Sequence, residues 1–155
     1  MEQDLTTPFI EAVTDVITMM SSTEIKTLEV LEDSDGKTWG AVTGLVNMKG
    51  DGYYGHMTIS FDEPSILGIV NRMLDEKHTA VNDEIIDAVG ELSNVISSTT
   101  RSKFSQLNIE LDMALPLMIS GKNVEISQLR QGKIRKIKFQ TPEGIFVIET
   151  NLAAL

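Results

Sequence analysis

The sequence predicts an α+β fold, with an antiparallel β-sheet packed against helices, one of them long. Three observations carry this. Apolar residues recur at helical spacing near residues 8–20, 64–74 and 82–106. Between and after these stretches, shorter segments alternate apolar and polar residues and end at turn signals. The order of elements is helix, three strands, helix, long helix, several strands, which suggests an α+β domain.

The first helix is expected from about Pro8 to Met20. Thr7 can cap it and Pro8 suits its first turn. Phe9, Val13, Val16, Ile17 and Met20 form its buried stripe, and Ser21 and Ser22 end it. A strand is predicted over Glu24–Leu31, followed by a turn at Asp33-Ser34-Asp35-Gly36. Trp39–Met48 reads as a second strand. Lys49-Gly50-Asp51-Gly52 turns the chain into a third, Tyr53–Phe61. There Tyr53, Met57, Ile59 and Phe61 alternate with Tyr54, His56, Thr58 and Ser60, the pattern of a sheet with one buried face.

Pro64 opens a second helix with Ile66, Leu67, Val70, Met73 and Leu74 inward, and Asp75–Ala80 is a polar connection. The longest helix follows. Asn82 can cap it, and Asp83 and Glu84 complement the positive end of its dipole. Ile85, Val89, Leu92, Val95, Ile96 and Thr99 are its expected core stripe, running to about Gln106. Beyond it, Leu107–Leu111 and Leu115–Ile119 flank a kink or bulge, and Ser120-Gly121-Lys122-Asn123 is a turn. Gly132–Gln140 and Ile145–Asn151 form a hairpin across Thr141-Pro142-Glu143-Gly144. A helix followed by antiparallel strands occurs in each half, which hints at an internal pseudo-duplication.

The chain has 155 residues, 41% hydrophobic and 23% charged, a composition that fits one soluble domain over 1–155. Its net charge of -10 argues against nucleic acid and anionic membrane surfaces as partners. The absence of cysteine excludes disulfides, thiolate catalysis and sulfur-based zinc sites. The start is acidic, and no apolar run approaches the length of a membrane span, so a cytoplasmic protein is expected.

The chemistry-bearing residues lie on the long helix. Asp87, Glu91, Asn94, Ser98 and Arg101 are spaced by three or four, so they share one stripe. A solvated face is the ordinary explanation of such a stripe. Three details point beyond it. Gly90 sits mid-helix, where glycine costs about 1 kcal/mol against alanine, and would let another backbone approach. Ser93, Ser97, Ser98, Thr99 and Thr100 are mediocre helix formers crowded onto one helix. Their short side chains leave a low surface from which an amide and a carboxylate could protrude.

The segment Asp87-Ala-Val-Gly-Glu91-Leu-Ser-Asn94-Val-Ile-Ser97 resembles the Glu-x-x-Asn helix of the CheC/CheX/FliY phosphatases. Ile59-Ser-Phe61, the Pro64–Leu74 helix and Asp83-Glu84-Ile85 agree with that family's context, and the resemblance runs from about Pro8 to the final hairpin. It implies a CheC-like domain acting on the aspartyl-phosphate of a CheY-type response regulator. Glu91 would pair with the regulator's active-site lysine, and Asn94 would orient the attacking water. Asp87, Gly90 and Ser98 would lie in the partner-facing surface, with Ser98 standing where relatives often carry glycine. Magnesium would belong to the phosphorylated partner; no cofactor is expected in this chain. A homodimer is implied by the resemblance alone. If the domain is duplicated, Glu11-Ala-Val-Thr14 on the first helix stands where two-site relatives carry a second motif, and Thr14, lacking an amide and shorter than asparagine, implies that this site is inactive or absent. The alternative from another class is a noncatalytic adaptor or flagellar-switch-like module that binds the regulator without hydrolysis.

Other features have plainer readings. Asp33-Ser34-Asp35-Gly36 lacks the earlier carboxylate of a calcium loop, where Leu31 stands. His56 and His78 read as isolated surface residues without partners at metal-ligand spacing. Arg130, Lys133, Arg135, Lys136 and Lys138 suggest the solvated side of an edge strand.

Overall fold

The computed structural model describes residues 5–32, 36–126 and 134–154. The order is α1 (Thr7–Ser21), β1 (Lys26–Leu31), β2 (Val42–Gly50), β3 (Tyr53–Phe61), α2 (Glu63–Leu74) and α3 (Asp83–Gln106). Then follow β4 (Asp112–Met113), β5 (Leu117–Ser120), β6 (Arg135–Gln140), β7 (Ile145–Thr150) and β8 (Ala153–Ala154). The fold is α+β, as the sequence indicates. The strands form one antiparallel sheet in the order β1-β6-β7-β3-β2-β4, with β5 also on β2 and β8 on β3. Exchanging β1 for β5, β2 for β6 and β3 for β7 reverses the path β1-β6-β7-β3-β2-β5 onto itself.

The helices begin and end for identifiable reasons. Thr6, one residue earlier than expected, occupies the cap position of α1, with Pro8 in the first turn. Asp62 caps α2 by accepting from the Ser65 N–H at 2.8 Å, and its other oxygen accepts from the Ile145 N–H at 3.0 Å, tying the helix start to β7. Asn82 caps α3 by accepting from the Ile85 N–H at 3.0 Å. Phe9 of α1 meets Phe104 of α3 edge-on at 5.3 Å, and both rings are fully buried.

One apolar cluster joins the three helices to the sheet through Val13, Ile17, Ile59, Phe61, Ile66, Leu92, Ile137 and Phe146. The helices cover the face that carries Val42, Gly44 and Val46 of β2, since Gly44 lies against Ser93 of α3. The other face was expected to be solvated. Instead both sides of β3 are buried from Gly55 to Phe61. Thr43 and Ser60 exchange a hydroxyl hydrogen bond of 2.7 Å there. Ile126 closes over Leu45, His56 and Thr58, leaving a space of about 10 Å³.

Several expectations need correcting. The core stripe of α3 does not include Val95, which is 38% exposed. The buried arc is turned toward Ser93, Ser97 and Thr100, all of them buried. Two of these hydroxyls donate to their own helix, Ser97 to Asn94 O at 2.9 Å and Thr100 to Ile96 O at 2.7 Å. Small residues are needed on this side because a methyl group at Gly44 would come within 2.3 Å of Ser93 Oγ. β2 starts at Val42, not Trp39, because Gly40 is pressed against the Phe61 carbonyl. Residues 107–111 make no ladder, although Ile109 and Leu111 are buried. β6 is not an edge: β1 lies outside it, and Lys138 pairs with Glu29 at 3.3 Å and Arg135 with Glu32 at 3.7 Å. Arg130, Lys133 and the Asp33-Ser34-Asp35 turn lie outside the described residues.

Candidate active site

Helix α3 presents the motif from a firm base. Leu92, Ser93, Ile96 and Ser97 are buried beneath it, so the opposite side carries Asp87, Glu91, Asn94 and Ser98, all exposed. Glu91 and Asn94 are three positions apart, and Asp87 and Glu91, like Asn94 and Ser98, are four apart. Each step is about one helical turn, so the four side chains form a ridge along the helix. Among the described residues, no hydrogen-bond or ion-pair partner is found for the side chains of Asp87, Glu91 or Asn94. The carboxylate and the amide are therefore available to another molecule.

Gly90 is half-buried beside the ridge. A methyl group there would sit 3.6 Å from Met118 Sδ, in ordinary van der Waals contact. Packing within the chain therefore does not require a glycine. Arg101, at the far end of the ridge, reaches Asp112 of β4 at 3.7 Å. The ridge thus runs between Met118 of β5 at one end and Asp112 of β4 at the other.

Helix α1 carries Glu11 and Thr14 at the same spacing, but in different surroundings. Lys103 of α3 lies 3.2 Å from Asp15 and 3.5 Å from Glu11. The hydrogen bond to Asp15 is the main reason its ammonium is held above the usual lysine range. The Thr14 hydroxyl donates to Ile10 O at 2.8 Å.

Neither histidine is the isolated surface residue expected. His56 is buried; its backbone N–H donates to Asn151 Oδ1 at 2.6 Å, and its ring meets Tyr54 edge-on at 5.6 Å. Burial holds its imidazole below the usual histidine range, which favours the neutral ring. The folding of β3 against the chain end, invisible to local pattern, buries it.

His78 joins Glu76 and Glu84, the three offering ligand atoms within 4.8 Å of one another. Nε2 of His78 bonds Glu76 and lies 3.5 Å from Glu84. Asn82 settles what this cluster does. Its oxygen is occupied by the Ile85 N–H, so the group 3.2 Å from His78 Nδ1 is its NH₂. Nδ1 must therefore accept, and the proton sits on Nε2, directed at Glu76. A metal at Nε2 would displace that proton and disturb the helix cap. The cluster is a hydrogen-bonded clasp at the start of α3. The neighbouring Glu76 carboxylate raises the Glu84 carboxyl above the usual range. No described helix is long and apolar enough to cross a membrane.

The comparisons with known proteins agree with one another. The family model "Chemotaxis phosphatase CheX" matches residues 42–140. A CheC-like superfamily protein from Shewanella sp. PV-4 has a similar crystal structure at 32% identity and a TM-score of 0.91, over 99% of this chain and 100% of that one. The chemotaxis protein CheX from Vibrio vulnificus gives 30% identity and a TM-score of 0.89, over 97% and 100%. A chain of the CheX–CheY–BeF₃–Mg²⁺ complex from Borrelia burgdorferi shares the fold at 21% identity and a TM-score of 0.81, over 97% and 99%. No curated protein matches.

Proposed function

The chain belongs to the CheX family of chemotaxis phosphatases, and from that premise we propose that it dephosphorylates a CheY-type response regulator, with Glu91 and Asn94 as its working residues. The observation that carries this is the pair itself. A carboxylate and an amide stand one turn apart, exposed and without described partners, on a helix of 24 residues anchored to the sheet.

Phosphoryl transfer asks little covalent chemistry of a catalyst; positioning and charge stabilisation dominate. The Asn94 oxygen can accept from a water while its NH₂ donates to a neighbouring ligand. Held this way, the water oxygen attacks phosphorus in line, the P–O bond to the regulator's aspartate breaks, and a carboxylate and inorganic phosphate result. The water's proton leaves with the phosphate or to solvent. Glu91 anchors the lysine of the regulator and thereby sets where Asn94 enters. Asp87, Gly90 and Ser98 form the surface around this contact. The magnesium ion belongs to the phosphorylated regulator, and the regulator places the reaction in the cytoplasm. The same fold in a CheX crystallised with CheY, BeF₃ and Mg²⁺ supports this choice of partner. We propose further that the chain pairs as a homodimer. β1, at one edge of the sheet, exposes Leu28 and Val30, as an edge that receives a second copy would.

The test follows phosphate loss from phosphorylated CheY-type receivers with wild type, Asn94→Ala and Glu91→Ala. Asn94→Ala should lower turnover about 100-fold, the size of losing one well-placed polar group, while the complex still forms. Glu91→Ala should raise KM as well, and added salt should mimic part of its effect because the ion pair is exposed. Unchanged phosphate loss in both variants would rule out this assignment. A receiver that binds but never loses phosphate faster would make the chain an adaptor. Sedimentation velocity tests the dimer.

A further inference from the structure

The sheet edge beside α3 contains an irregularity between β4 and β5. Met113 pairs with Met48 and Leu117 with Leu45. Three residues, Ala114, Leu115 and Pro116, therefore stand opposite two, Asn47 and Val46. This is a β-bulge, held by the Ala114 N–H bonding to Asn47 O at 3.0 Å. A bulge takes residues out of the ladder and re-aims them. Leu115 is left 81% exposed.

Its position follows from the ends of the segment. Met118 lies at Gly90, and Asp112 lies 3.7 Å from Arg101. Residues 112–118 thus run beside α3 in the opposite direction, and Leu115 falls alongside the stretch bearing Asn94 and Ser98. Residues 113–120 contain no charge, in a chain whose net charge is -10. An exposed leucine on an uncharged bulge beside an unpartnered polar ridge is how an interface is built, with an apolar anchor flanking the specific polar contacts.

We infer that Leu115 is an apolar docking anchor for the protein that receives Glu91 and Asn94, an inference that rests on the function proposed above. The occupant is that regulator and not a second copy of this chain. A two-fold pairing here would set the Asp87 and Glu91 ridge against itself, whereas a partner offering a lysine complements it.

The probe is the receiver that wild type dephosphorylates fastest, phosphorylated by a small-molecule donor. Leu115→Asp and the milder Leu115→Ser should raise KM, about tenfold for the aspartate, with kcat within about twofold. Leu117→Ser is the control: it pairs with Leu45 on the sheet face away from α3 and should leave both parameters unchanged. A KM within about twofold of wild type in Leu115→Asp, alongside a normal Asn94→Ala defect, overturns the anchor and leaves the catalytic reading standing. A change in oligomeric state with Leu115→Asp also overturns it, making the bulge a self-association surface. Wild type that accelerates no receiver removes both.

Discussion

Replacing Gly90 by alanine should make the protein more stable and a poorer catalyst. The structure supplies both halves of that expectation. Gly90 lies in the middle of α3, and a methyl group there would meet only Met118, at 3.6 Å from its sulfur and 3.9 Å from Cγ. Neither distance forces a shift, and the sulfur sits on a flexible side chain. Alanine then gains its full helix preference over glycine, about 1 kcal/mol. For a chain of this length, that should raise the melting temperature by about 2–4 °C. Gly90 also adjoins Glu91, beside the exposed ridge proposed above to meet the regulator. If the regulator's backbone packs there, one methyl group in a close-packed contact costs about 1 kcal/mol or more, a KM about fivefold higher. Thermal unfolding by circular dichroism and initial rates of phosphate release measure the two effects separately. A variant that is more stable with an unchanged KM would refute the close-approach argument. A variant that melts lower would refute the packing argument.

Gly44→Ala tests the seat of the motif helix. The added methyl would lie 2.3 Å from Ser93 Oγ and 3.0 Å from Ser93 Cβ, so turning the hydroxyl does not relieve the clash and α3 must move. About 1–3 kcal/mol of stability should be lost, read from the urea midpoint, and turnover should fall with it because Asn94 rides on the displaced helix. An unchanged midpoint would refute the close contact. The Arg72–Glu143 pair predicts a pH effect. Two bonds of 2.7 Å from Arg72 hold the Glu143 carboxyl below its ordinary value of 4.5. Its contribution is complete above the unfolded carboxyl's pKa and is lost as pH falls through the lower folded value. The side chains are 33% and 37% exposed, so solvent limits the effect to below about 1 kcal/mol. Glu143→Gln should be less stable than wild type at pH 7 and converge on it in acid; a gap that stays constant with pH would contradict this.

Elements with strong local signals were legible in the sequence. Tyr53–Phe61, the capped helix from Asp83 to Gln106 and the hairpin around Thr141–Gly144 stand where alternation, Asn82 and turn residues put them. The ridge of Asp87, Glu91, Asn94 and Ser98 was also legible, because exposure follows directly from helical spacing. The burial of Ser93, Ser97 and Thr100 was not. Periodicity counts apolar side chains, whereas this side of α3 is selected for small ones by the approach of Gly44 on a strand 49 residues earlier in the chain. The same displacement of the core arc leaves Val95 outside it. His56 and His78 were misplaced because their surroundings come from Asn151 in one case and, in the other, from Glu76 in the same connection together with Glu84 in the first turn of α3. The sequence marked a kink or bulge before Leu115 and put Leu115 in the next strand, whereas the pairing with β2 places the bulge at residues 114–116 and starts β5 at Leu117.

The comparison of α1 with α3 shows why spacing alone does not define a docking helix. Both carry a glutamate and, three residues on, a short polar residue, and the strand order treats their two halves alike. Glu11, however, has the Lys103 ammonium 3.5 Å away, and Lys103 also reaches Asp15. A lysine from another protein would have to compete with one already tethered in the same chain. Thr14, with its hydroxyl given to Ile10 O, offers no amide to hold a water. On α3 the corresponding carboxylate and amide have no described partner to displace. Under the proposed function turnover would therefore fall to α3 alone, where a charge and an amide are left without a described partner, whereas the carboxylates of α1 are engaged by Lys103 and tie the two helices together.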